Sequence, residues 1–161
     1  MSEISLGVMI HAGMGELGAI CFIWVLIELI NQKDEGLIRA RRASLIGILA
    51  TVASWFVGGY YYVVTYGSQV KPIIKASQYK WAHSIVMEVK EHAFLFLPIL
   101  ACTVWLLLNS SDSWKAMGDN GRKSVAVLAT TIFLIGFSMA FLGFLISAGG
   151  RGALAIQLLA Q

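Results

Sequence analysis

The sequence predicts an all-α protein, an integral membrane four-helix bundle, on three observations. Four stretches, roughly 6–30, 44–66, 89–108 and 124–148, are long and apolar enough to cross a hydrocarbon layer about 30 Å thick, which takes about 20 helical residues. Nothing between them is long enough for a separate soluble domain, so 1–161 reads as one transmembrane domain. Of the 161 residues 58% are hydrophobic, and the mean hydropathy is +0.75. A water-soluble bundle needs a polar stripe on each helix. The fourth stretch, from Val125 through Thr130 to Phe144, is apolar or small on every face, which excludes that alternative.

The first span resembles a secretory signal only in position. Signal peptides carry a basic start and a short apolar run, whereas 1–7 holds Glu3 as its one charge and the run that follows is too long, so it reads as a retained helix. Cys21 and Cys102 lie inside apolar spans with no CxxC, which points to packing rather than to a disulfide. The second span ends in Gly58 and Gly59, then Tyr60, Tyr61, Tyr62 and Tyr66, an aromatic belt of the kind found at headgroup level. Pro72 breaks any continuous helix in the connection, and Lys71, Lys75 and Lys80 suit anionic headgroups. The third span enters near Val89, with its helix starting as early as residue 81, and Pro98 should kink it. In the fourth, Gly136 and Gly143 permit close helix crossing. The tail GGRGALAIQLLAQ is expected to lie in the interface or dock on a partner.

Loop charge sets the expected orientation. The first loop carries Lys33, Arg39, Arg41 and Arg42 and the third Lys115, Arg122 and Lys123, against Lys71, Lys75, Lys80 and Arg151 on the other side. The positive-inside rule then puts both termini outside, in a bacterial inner membrane. The net charge of +3 reads as topology and lipid contact, because no basic and aromatic platform suggests nucleic acid.

Ionisable residues inside a span need partners and mark functional sites. His11 and His92 each lie about one turn into a span that starts outside, so they share a level. Gly15, Gly18 and Phe22 follow His11 on nearly one face, where small residues would let a macrocycle approach. Two facing imidazoles with glycine beneath the ring suit a bis-histidine haem b; the plainer reading of HAGMGELG is a helix contact. Glu88, one turn before His92, suits a ligand-orienting carboxylate. Lys90 and Glu91 would snorkel to the interface. Glu16 should be protonated, pair with Lys90 or face the bound group. His83, beside Tyr79 and Trp81, reads as an interfacial or partner-contacting histidine and as the alternative axial ligand.

With His11 and His92, and the HAGMGELG and MEVKEH segments around them, the chain resembles small four-helix membrane b-type cytochromes and the copper-resistance D-type membrane proteins. The resemblance is one of architecture over the four spans. No phosphate-cradling loop, HExxH, nucleophile elbow or CxxCH is present, which argues against covalent haem and against an enzyme acting alone.

Three functions are therefore expected. A haem b subunit of a redox complex would pass electrons between an outer-side carrier and a quinone or partner. A metal site would use Met9, Met14, Met87 and the histidines for copper, or Glu16, Glu88, Glu91 and the histidines for iron or zinc. A structural or assembly subunit would pair its charges with neighbouring subunits, or with further copies in a homo-oligomer.

Overall fold

The computed structural model describes residues 2–33 and 35–159, with side chains from Leu6 onward. The side chain of Glu3 and the last residues of the tail lie outside that set. Five α-helices account for most of the chain: α1 (Ser2–Asn31), α2 (Gly36–Tyr61), α3 (Lys71–Lys75), α4 (Glu88–Asn109) and α5 (Trp114–Leu159). Tyr62–Val70 and Ala82–Met87 are wound more loosely, as π-helix. Four helical runs, Leu6–Asn31, Gly36–Lys75, Ala82–Asn109 and Trp114–Leu159, are long and apolar enough to cross a membrane.

Two of these runs exceed the lengths expected from sequence, for local reasons. Pro72 was expected to break the second, but it lies inside the run, directly after the loosely wound stretch Tyr62–Val70. The helical path therefore continues to Lys75. The fourth run includes the glycine-rich tail, whose residues pack on the chain itself: a Cβ on Gly149 would lie 2.6 Å from Ala82 Cβ, and one on Gly152 would lie 2.7 Å from the Tyr79 ring. At its other end Gly118, with φ of 68°, sets the turn Trp114 to Met117 apart from the rest of α5. α4 runs through Pro98 without a break.

The helices pack in the ring α1, α2, α4, α5, leaving α1 and α4 diagonal to each other. Two apolar cores fill the bundle. The larger joins Phe22, Val25, Leu97, Val104 and Ile132 toward the end where α1 turns into α2. The smaller joins Tyr66, Ile74, Ala82, Val86 and Ile146 at the opposite end. Small residues set the spacing of α1 and α2: a Cβ on Gly47 would lie 2.8 Å from the Phe22 ring, and one on Gly18 2.6 Å from Thr51 Oγ1.

Basic residues of the first loop are tied down at the α1–α2 turn. The buried Glu28 carboxylate accepts from Arg39 Nε at 2.7 Å, Arg39 Nη2 at 2.9 Å and Trp24 Nε1 at 3.0 Å. Arg41 donates to the Leu108 and Ser111 carbonyls at 2.9 and 2.6 Å, joining the start of α2 to the end of α4.

Candidate functional site

Between the two apolar cores lies a polar layer built from three helices. His11 comes from α1, Ser54 from α2 and Lys90 from α4. His11 Nδ1 lies 2.8 Å from the Ser54 carbonyl oxygen, which can only accept, so the ring proton sits on Nδ1 and the Nε2 lone pair is free. Ser54 Oγ donates to the His11 carbonyl at 2.8 Å and lies 3.0 Å from Nδ1. Nε2 points across the bundle diagonal, where Lys90 Nζ donates to it at 3.3 Å. The Phe94 ring, one turn along α4, meets the imidazole edge-on with centroids 6.0 Å apart.

Glycines make the room. A Cβ on Gly58 would come within 2.5 Å of His11 Nδ1, so the imidazole lies directly on the α2 backbone. A Cβ on Gly143 would approach Lys90 Nζ to 3.4 Å, in ordinary contact. One turn further in, Gly15, Ala19, Thr51, Phe94, Leu97, Ile132, Gly136 and Met139 line a cavity of about 20 Å³, room for about one water.

Charge in this layer is unbalanced. The ion pairs among the described residues are Arg39–Glu28, Arg39–Glu35 and Arg122–Asp119, so no described carboxylate reaches Lys90. Its ammonium has three donors and one acceptor, the imidazole.

The structure separates several residues that the sequence suggested would meet. Lys90, not His92, faces His11. Two residues on a helix are about 200° apart, and His92 is exposed, its Nδ1 donating to the Glu88 carbonyl at 2.6 Å. It is thus the Glu88 backbone, not its carboxylate, that orients His92. Glu16 lies about 140° around α1 from His11 and is exposed, so it neither pairs with Lys90 nor faces the layer. Gly15 and Gly18 contact α2 at Ser54 and Thr51, the helix-contact role. His11 and His92 therefore do not face each other in this structure. Among the described residues no three His, Cys, Asp or Glu side chains gather as a metal site.

His83 and Tyr66 were expected at an interface, yet both are buried, at 4% and 2% exposure, and the Tyr66 hydroxyl lies 3.1 Å from His83 Nδ1. The π-helical turns on which both sit shift the helical phase and turn them inward. Tyr62 stacks on Tyr66 with centroids 5.4 Å apart. Ser54 and Gly58 were missed as partners of His11; serine and glycine in an apolar run are common packing residues and carry no signal of their own.

The class defined here is an all-helical bundle of four membrane-length helices with a polar layer across its axis. No family model matches the chain, and neither a curated protein nor a solved structure matches it.

Proposed function

We propose that the chain is an integral-membrane subunit of a larger redox complex, docked to its neighbours through the exposed face of α1. Glu16 carries this reading. It lies ten residues inside Leu6–Asn31, about 15 Å at about 1.5 Å per residue and so near the middle of a hydrocarbon layer about 30 Å thick. It is exposed beside Met9, Ile20 and Ile27. An acidic side chain at that depth costs about 3 kcal/mol against lipid. A neighbouring subunit that donates to the carboxyl removes that cost.

Size in a mild detergent tests the proposal. The wild-type chain should migrate in an assembly larger than a monomer, Glu16→Leu should release the monomer, and Glu16→Gln should hold part of the assembly. A wild-type chain extracted only as a monomer would sink it. The orientation inferred from loop charge is tested with it: a thiol probe on Ser77→Cys reacts from outside, and one on Ser113→Cys only after the membrane is opened.

The redox assignment draws on His11, whose Nδ1 is anchored on a backbone carbonyl as in many ligating histidines, and whose Nε2 would exchange the Lys90 ammonium for the ligated group. A b-type haem with His11 as one axial ligand is the corresponding second reading. Low-spin reduced bands that vanish in His11→Ala would support it, and a colourless purified complex would end it.

A further inference from the structure

We propose that Lys90, held by His11, is a binding site for the oxyanion of an acidic lipid, the carboxylate of a fatty acid or the phosphate of an anionic phospholipid. The inference rests on the bundle residing in a bilayer, as proposed above, and on no redox role.

The argument begins with what the ammonium lacks. Of its three donors one is taken, by a neutral nitrogen at 3.3 Å, and no described carboxylate forms an ion pair with it. A charge in a low-dielectric layer is stable only when it is paired and hydrogen-bonded. A neutral carbonyl ligand would occupy one donor and leave the charge. An oxyanion takes both free donors and cancels the charge, so the physics favours it.

Access and depth fit a lipid. Lys90 is half-buried, so part of its side chain lies at the bundle surface. On the α5 side the ammonium lies against Gly143, where a Cβ would be in ordinary contact with Nζ. Gly7, one turn before His11, abuts the Tyr61 ring, which puts the site about 6 Å inward of that tyrosine. A lipid acid lying along the bundle brings its head group to that level while its chain covers exposed apolar residues. His11 acts as a positioning residue: its Nε2 accepts from Nζ, and its ring is fixed by Ser54 and Gly58.

The test uses the full chain in a neutral detergent with four probes: oleate, dioleoyl phosphatidate, methyl oleate and dioleoyl phosphatidylcholine. Native mass spectrometry should show one oleate or one phosphatidate per chain and neither neutral lipid. Lys90→Met should weaken that binding at least about tenfold, equivalent to about 1.4 kcal/mol. Lys90→Arg should stay within about threefold, and Lys115→Gln, an exposed lysine at the far end of the bundle, should bind as wild type. Oleate without phosphatidate identifies a carboxylate site, and the reverse a phosphate site. If Lys90→Met does not fold, solid-state NMR on the wild type decides, through a dipolar contact between ¹⁵N at Lys90 Nζ and ¹³C at the oleate carboxyl or ³¹P of phosphatidate. Equal binding of methyl oleate, unchanged binding in folded Lys90→Met, or no contact at Nζ overturns the proposal. A chain that needs detergent yet binds no acidic lipid defeats only this inference, whereas a chain soluble without detergent defeats the membrane reading itself.

Discussion

Glu28 with Arg39 and Lys90 with His11 are two inward charge sites among the described residues, and they are solved differently. At the α1–α2 turn a buried carboxylate receives two guanidinium nitrogens and an indole, all from residues within 11 positions in sequence. In the polar layer a cation meets only an imidazole, from a residue 79 positions away. The first site closes on itself and serves the fold. The second leaves Lys90 without a described carboxylate partner, which is why the lipid-acid site is proposed there and not at the α1–α2 turn.

The sharpest way to break this contrast is to compare neighbouring glycines. Gly58→Leu drives a side chain into the His11 ring and should cost about 1–3 kcal/mol or more, while Gly59, whose Cβ would meet nothing within 4 Å, should accept leucine with little change. Unfolding in mixed detergent micelles measures both, and equal costs would mean that the imidazole does not rest on α2. Removing the two cations comes next. Arg39→Met strands Glu28 and should lower the melting temperature, whereas Lys90→Met exchanges an uncompensated charge for an apolar chain and should leave it unchanged or higher. A fall in Lys90→Met as large as that in Arg39→Met would show that Lys90 is already neutralised within the chain. The smallest effect belongs to Ser54→Ala, which removes a hydroxyl but keeps the carbonyl under Nδ1. It should cost about 1 kcal/mol and leave lipid binding intact, with the His11 ring ¹⁵N signals reporting an unaltered tautomer.

The four helices were legible because run length and hydropathy depend on composition alone. The polar layer was half legible. His11 stood out as an ionisable residue in an apolar run, and the 140° between it and Glu16 was available from helical geometry, so their separation could have been deduced. Its partner could not. Lys90 and His92 differ by two residues, and Lys90 is the one in phase with the buried Leu97, Ala101 and Val104 further along α4, a register that shows only once the buried face of that helix is known. The Tyr66–His83 pair was hidden differently, because each member sits on its own π-helical stretch, whose winding a regular helical period does not follow. Likewise Gly58 and Gly59 are indistinguishable in sequence, though only one of them meets His11.

α5 carries a mechanical implication. From Asp119 to Leu159 it is about 60 Å long at about 1.5 Å per residue, twice the thickness of a hydrocarbon layer, and three of its glycines are gaps cut for other parts: Gly136 for Ala19, Gly149 for Ala82 and Gly152 for Tyr79. Sliding this rod by one turn, about 5.4 Å, would bring Ala140, Ala153 and Ile156 to those places and close all three gaps together. The helix therefore works like a notched key with one seating height, and the part of the molecule that overhangs α1 is held at a single elevation above the polar layer.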